Sequence, residues 1–453
     1  MSRGFTEGGV ARHLLRLGSF MALGSVTLNI AQLAEAVYLG IVGTEALAAM
    51  GFAFPITVTL FAFAGGIGSG ASSVIARAIG SGNQDQAARL VTHAQFLTVL
   101  IGIILGLLGM IFAEAIVTGL GAKGVVHQMT VDYLQVYMLG FPFFMLGMVG
   151  STLLRATGNA ASPGVVMAVG SVLQIAFGPI LIFGWFGFPA MGIAGAAWAY
   201  VASRFISVLI YWVLLVRVRM LHWSLDRLLT SWRDILHVGA PAIASGLIMP
   251  VSMLVITRLL AQHGHEVVAG YNVASRVEML AHMILWSASS SVEPFVGQNW
   301  GAGRYDRVKH ALSLCNRFCL AWGVFTFIAM MIFGRIIVNA IDDNAVVGEV
   351  AWAFFLIIPL SIGFMGITQI ANSCFNARGL PVPPLTISVV RTFAIYIPLS
   401  IWANSLWGYV GIFLATAFTN VLVGILSWWW SQESVNRTSA ILSAGQRFKA
   451  AGG

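Results

Sequence analysis

Charge is what this sequence has least of. Only 9% of its 453 residues are Asp, Glu, Lys or Arg, where a water-soluble domain carries about 25%, so a soluble fold is excluded. Cysteine is scarce as well: Cys315, Cys319 and Cys374 all fall in or beside apolar stretches, which argues against a disulfide framework. Cys315 and Cys319 share a helical face but have no companion ligands, so packing is the better reading than a metal site. Alternating ten-residue strands are missing, which removes a membrane barrel. No small-residue cleavage site follows a short apolar core in residues 1–20, so no removable leader is expected. The links between apolar stretches are short and hold no His, Asp and Cys constellation, which leaves a membrane enzyme without a catalytic cluster.

Apolar residues make up 58% of the chain, and its mean hydropathy is +0.88. Runs of about twenty apolar residues recur from end to end, each long enough to cross a bilayer as a helix. Gly, Pro and charge clusters divide them into twelve predicted spans: 14–41, 47–76, 90–113, 131–153, 163–186, 192–216, 236–261, 268–297, 311–337, 350–375, 384–404 and 408–430. The net charge of +8 is a topology signal and does not imply a nucleic-acid partner. With the N-terminus inside, almost every Arg and Lys falls on one face, and only Lys123, Arg258 and Arg335 fall on the other. The positive-inside rule then predicts a multi-pass protein of the cell inner (plasma) membrane with both termini cytoplasmic. The lipid bilayer is its expected surrounding, and a monomer its expected state.

Displacing the chain by 221 residues superimposes Gly18 on Gly239, Gly43 on Gly264, Gly80 on Gly301, Asp85 on Asp306, Gly158 on Gly379 and Pro163 on Pro384. After a five-residue contraction, Gly192, Gly195 and Trp212 fall on Gly408, Gly411 and Trp428. A single ungapped shift that aligns Gly, Pro and Asp punctuation marks a duplication. The predicted fold is therefore an all-α integral membrane protein, with twelve transmembrane helices in two pseudo-symmetric six-helix lobes. Six crossings per copy make the repeat parallel, a build that gives transporters a cleft for alternating access. The expected organisation is an N-terminal lobe at 1–220, a cytoplasmic interfacial linker at 221–235, a C-terminal lobe at 236–430 and a cytoplasmic tail at 431–453. Leu221, Trp223, Leu225, Leu228, Leu229 and Trp232 alternate with charges in the linker, as an amphipathic segment does. The tail is polar and is expected to be poorly ordered. Within helix 2, Gly65–Gly66–Ile67–Gly68–Ser69–Gly70 follows no strand, so it reads as a site of close helix packing and not as a nucleotide loop.

Ionisable residues inside spans are functional candidates by default. Glu35 is placed about 9 Å inside the apolar layer, on a slowly winding stripe with Asn29, Gln32 and Tyr38. An acid there costs about 2.5–3.5 kcal/mol unless it is protonated, paired or wetted, so it can carry a coupling proton or snorkel outward. Glu278 is the second such acid, about 15 Å deep, and Arg276 two residues away does not share its face. Asn272, Ser275, Gln369, Asn372, Ser373 and Asn376 put polarity on helices 8 and 10, lining a cleft or bonding helices together. Arg204 and Arg391 are expected to snorkel or pair. A metal site at His263, His265 and Glu266 is disfavoured because no complete ligand set converges.

The paired loops Ala76–Arg77–Ala78–Ile79–Gly80–Ser81–Gly82–Asn83–Gln84–Asp85 and Gln298–Asn299–Trp300–Gly301–Ala302–Gly303–Arg304–Tyr305–Asp306, with Leu154–Arg155–Ala156–Thr157–Gly158–Asn159 and Asn376–Ala377–Arg378–Gly379, resemble those of the MATE family of multidrug and toxic compound extrusion antiporters. The resemblance covers nearly the whole chain. It implies export of cationic, amphipathic small molecules in exchange for protons or sodium, with no prosthetic cofactor. Leu33–Ala34–Glu35–Ala36–Val37–Tyr38–Leu39–Gly40 is similar to the family's first-helix motif, where an acid, usually Asp, couples the ion. Many relatives place an Asn four residues before an Asp–Pro on helix 5, whereas this chain has Gln174 and then Gly178–Pro179. That departure removes a second acid and favours protons over sodium, with Gln174 orienting Glu35. Arg276–Val277–Glu278 resembles a motif of the DinF-related branch. The acids of the NorM-type branch correspond to Met249 and Ile367 here, so that cation site is absent. The resemblance thus implies Glu35, Gln174 and Glu278 as ion-coupling residues and Gln32, Tyr38, Asn272, Arg276, Gln369 and Asn372 as substrate-cleft candidates. The competing reading is a flippase for lipids or lipid-linked precursors, which should have a strongly cationic cleft and often extra helices.

Overall fold

The structure is a computed structural model describing residues 4–218, 220–341 and 344–451, with the side chains of 339–341 and 442–451 outside that description. Fourteen α-helices follow one another: α1 (Val10–Val42), α2 (Thr44–Gly80), α3 (Gln84–Ile111), α4 (Ala113–Gly119), α5 (Gly124–Ala156), α6 (Ser162–Phe183), α7 (Gly192–Arg217), α8 (Leu228–Ala261), α9 (His265–Gly301), α10 (Tyr305–Ile341), α11 (Ala345–Ile357), α12 (Pro359–Ala377), α13 (Val382–Val389) and α14 (Ile397–Ala451). A seven-residue π-helix, Val390–Tyr396, joins α13 to α14. Among the described residues there is no strand.

These helices make twelve crossings in two sets of six. The first set is α1, α2, α3, α5, α6 and α7. The second is α8, α9, α10, the α11–α12 pair, the stretch from α13 into α14, and the remainder of α14. Most helices overrun the expected spans at both ends. The span expected as one helix at 350–375 is instead two, bent by 53°, because Pro359 supplies no N–H to the turn before it. Helix α14 breaks at Trp407–Gly408, where Gly408 has φ 59. The tail expected to be poorly ordered after Ser431 continues α14 as helix to Ala451. Its first turn is anchored by Arg378, which donates to Ser434 Oγ at 3.0 Å, Ser434 O at 3.1 Å and Thr438 Oγ1 at 3.1 Å.

By packing, the chain forms two units, one of Met1–Gly4 with Ser19–Gly246 and one of Phe5–Gly18 with Leu247–Gly453. In the first, α5 is central and packs on α2, α3 and α7, while α6 packs on α7. In the second, α12 takes the same place against α9, α10 and α14. The first half of α8 belongs to the first unit and meets α2 there at very close range. A Cβ on Gly70 would stand 2.2 Å from Ile235 O, and one on Gly66 would stand 2.4 Å from Ile243 Cγ1, so the glycine run is the helix-packing surface its sequence suggested. The segment 221–235 also packs in this unit. His93 on α3 bonds Ser231 Oγ at 2.8 Å and Ser224 O at 2.7 Å, and Trp232 Nε1 donates to His93 O at 2.9 Å.

The second unit holds the first turns of α1. Phe5 N donates to Gln298 Oε1 at 2.8 Å, Arg307 donates to Phe5 O at 2.9 Å and Gly8 O at 2.7 Å, and the Phe5 and His13 rings meet edge-on and both tilt against Phe295. The linkers after α2 and α9 share their geometry. Gly82 and Gly303 both take positive φ, 83 and 69, the left-handed conformation that glycine reaches without strain.

Candidate functional site

In the first unit, Glu35 is buried, while Leu33, Val37 and Ile41 on either side of it take the exposed face of α1. Its carboxylate does not snorkel. Tyr133 on α5 donates from its hydroxyl to Oε1 at 3.0 Å, and Gln174 on α6 donates from Nε2 to Oε2 at 2.9 Å. Arg204 on α7 donates from Nη2 to Gln174 Oε1 at 2.9 Å. A guanidinium can only donate, so it fixes which end of the Gln174 amide faces Glu35. The direction Arg204 to Gln174 to Glu35 therefore follows from chemistry and needs no assumption about the amide flip.

Three tyrosines extend this cluster. Tyr133 and Tyr137 lie one turn apart on α5 and stack at 6.0 Å between ring centroids; Tyr137 stacks on Tyr200 at 4.7 Å and donates to its hydroxyl at 3.1 Å. Arg204, one turn beyond Tyr200 on α7, lies 5.0 Å from the Tyr200 ring centroid, in range for a cation–π contact. Four helices thus converge on one carboxylate. Sequence reasoning named Glu35 and Gln174 of this cluster and did not name Tyr133, Tyr137 or Tyr200. The available signal was the four-residue spacing of Tyr133 with Tyr137 and of Tyr200 with Arg204, which puts each pair on one helix face.

Helix α6 explains its own departure from the family pattern. Pro179 has no N–H for the carbonyl of Ile175, and Tyr38 Oη donates to that oxygen at 3.3 Å. The Tyr38 ring lies where a side chain at Gly178 would sit, since a Cβ there would be 2.7 Å from its Cε2. Tyr38 therefore repairs the helix and fills the place of a residue after Gln174. A small cavity with room for about one water remains between Glu35, Tyr38, Gln174, Gly178 and Ile182. Gln32 lies on the exposed surface of α1.

The second unit carries a related chain of bonds with a different end. Arg391, on the π-helix, donates to Asn420 Oδ1 at 2.9 Å, and Asn420 Nδ2 donates to Ser361 Oγ at 3.1 Å. Tyr396 and Thr416 share a bond of 3.0 Å beside it. Glu278 lies 3.8 Å from His282 Nε2, one turn along α9. It does not pair with Arg276, which is exposed together with Asn272. Gln369 and Asn372 on α12 are partly buried, and their Oε1 and Oδ1 have no hydrogen-bond partner among the described residues. Met249 is 67% exposed and Ile367 is fully buried, and neither offers a ligand atom. Cys315, Cys319 and Cys374 are free and buried.

Comparison with known proteins fits this geometry. The sequence pattern of the MatE family matches residues 21–180 and again 241–402, once in each half of the duplication. The chain is 32% identical over 444 residues to the FAD transporter of Shewanella oneidensis, covering 96% of this chain and 98% of that one. It is 23% identical to the multidrug export protein MepA of Staphylococcus aureus, over 90% of each. Among solved structures, the Vibrio cholerae MATE transporter VcmN in its bent form aligns with a TM-score of 0.90 at 25% identity, over 95% of this chain and 98% of that one. An outward-facing multidrug resistance MATE family transporter shares the fold at a TM-score of 0.89 and 22% identity, over 96% and 97%.

Proposed function

Because this chain belongs to the MatE family, and is therefore a multi-pass membrane efflux transporter and not an enzyme, we propose that it is an antiporter in which Glu35 exchanges the coupling proton. The observation that carries this reading is the bonding of Gln174. Its amide oxygen is committed to Arg204 and its nitrogen to Glu35, so Gln174 presents a donor, and not an oxygen, to the carboxylate. A hard cation needs several oxygen ligands, whereas a proton needs one.

The same bonds support a position for the proton. On Oε2 it would oppose the Gln174 donor, which cannot turn because Arg204 holds the amide. On Oε1 it meets the Tyr133 hydroxyl, which can rotate to accept it. Protonation thus removes the charge from α1, reverses its bond to α5 and leaves its bond to α6 in place. That change in partners is the differential interaction a conformational switch requires. Transport follows alternating access between the two six-helix halves, in the cell inner membrane with both termini cytoplasmic. Glu278 contributes by attracting cationic substrate or titrating in parallel.

Amphipathic aromatic cations are the first substrate reading. Export of a flavin dinucleotide is the second, favoured by the 32% identity to an FAD transporter across nearly the full length of both chains. The test presents ethidium or FAD to everted vesicles, where export is read as uptake into the lumen, under an imposed proton or sodium gradient. Proton-driven movement by the wild-type chain, lost in Glu35→Gln, supports the proposal. Full efflux by Glu35→Gln rejects the role of Glu35, and drive by sodium alone rejects the ion.

A further inference from the structure

Helix α9 follows α8 and precedes α10, and both of those are long and apolar enough to cross a bilayer. Helix α9 is not in that apolar set, yet its place in the chain requires it to cross as well. A crossing helix that is too polar for lipid keeps part of its surface on protein or on water. Its exposed residues Asn272, Arg276, Met279 and Leu280 recur at helical spacing and form one stripe.

Arg276 stands two residues before Glu278 on α9, about 12 Å inside the apolar layer by the same count. Among the described residues it has no hydrogen bond and no ion pair. Glu278 instead lies 3.8 Å from His282 Nε2. An unpaired guanidinium at such depth costs about 2.5–3.5 kcal/mol or more, and a negatively charged ligand removes that penalty. Arginine also presents the planar fork that matches a carboxylate or phosphate through two parallel bonds.

We propose that Arg276 binds the acidic group of an amphipathic organic anion, a carboxylate or phosphate ester, as part of the substrate surface of the second unit. Asn272, one turn before it, supplies a further polar contact, and Met279 and Leu280, one turn after it, carry the apolar body. The inference rests on the reading of the chain as an exporter, but it concerns binding and is tested without transport. The anionic group could belong to a soluble metabolite or to a lipid headgroup, and both present the same chemistry to Arg276.

The experiment measures binding to the full-length purified protein of 1-naphthyl phosphate and of 1-naphthol, which has the same ring without the acid. The wild-type protein is expected to prefer the phosphate over the naphthol by about tenfold or more, as a charge-assisted pair gives. Arg276→Gln should erase that preference, Arg276→Lys should restore part of it, and an unchanged thermal unfolding temperature in both variants checks folding. Displacement of naphthyl phosphate by short-chain phosphatidic acid in the wild type, lost in Arg276→Gln, supports the site and assigns it to lipid. Equal binding of phosphate and naphthol by the wild type, or an undiminished preference in Arg276→Gln, overturns the proposal. Retained binding alongside absent efflux would instead count against the exporter reading.

Discussion

Both units contain an arginine that donates to a side-chain amide, whose nitrogen in turn donates to a third residue. In the first unit the order is Arg204, Gln174, Glu35; in the second it is Arg391, Asn420, Ser361. The repeat carries Arg204 onto Asn420 and Tyr200 onto Thr416, so the arginine and the amide have exchanged helices between the copies. The scaffold has kept a buried polar junction among its last two crossings and a third helix. Only the first copy ends it on an acid. A serine hydroxyl accepts the same bond without changing charge, so the second junction can hold helices together but cannot take up a coupling proton. Duplication has preserved the architecture of the junction and kept an acid in it in one half.

The comparison can be broken at several points. The largest effect is expected where the copies differ in backbone distance. Gly66 and Gly70 correspond to Ser287 and Ser291, so the first unit uses glycine where the second tolerates a side chain. Gly70→Val forces a carbon into the carbonyl of Ile235 and should destabilise the protein by about 3 kcal/mol, lowering its thermal unfolding temperature. Ser291→Ala, which removes only a bond to Ala288 O, should change stability by less than about 1 kcal/mol. Equal losses would mean that the copies pack alike.

Next is Arg204→Leu. It leaves the Gln174 oxygen unpaired and the amide free to turn, a penalty of about 1–3 kcal/mol. Proton-driven efflux should fall about tenfold, with Arg204→Lys recovering part of it. Arg391→Leu disturbs a junction without an acid, so it should lower thermal stability by about 1 kcal/mol and leave the dependence of efflux on the proton gradient unchanged. The smallest effect is expected from Ser361→Ala, about 0.5–1 kcal/mol of stability with coupling intact. Loss of coupling in either second-unit variant would contradict the division of labour.

Much of this architecture was legible in the sequence because membrane crossing demands long apolar helices, and the duplication repeats its Gly and Pro punctuation. The meeting of Glu35 with Gln174 was legible as well, through the resemblance of helices 1 and 5 to the family's pattern. Tyr133, Tyr137 and Tyr200 were not, because a lone tyrosine in an apolar helix reads equally as packing or as an interface anchor. Arg204 was expected to snorkel or pair, and its partner could not be named because the bond joins residues thirty apart on adjacent helices. The bend before Pro359 was hidden inside an apolar run long enough to pass as one span. Gly178 looked like the loss of a ligand, and only the packing revealed that Tyr38 occupies its place and caps the carbonyl that Pro179 leaves free.

The claim that the coupling proton requires Glu35 is tested most directly by proton movement during transport. Purified protein in liposomes that enclose a pH-sensitive dye is presented with ethidium, and the substrate-evoked proton flux is recorded for the wild type, Glu35→Gln and Glu278→Gln. The account predicts flux from the wild type, none from Glu35→Gln, and flux from Glu278→Gln that keeps at least part of the wild-type amplitude. Undiminished flux from Glu35→Gln, or its abolition in Glu278→Gln alone, would contradict it.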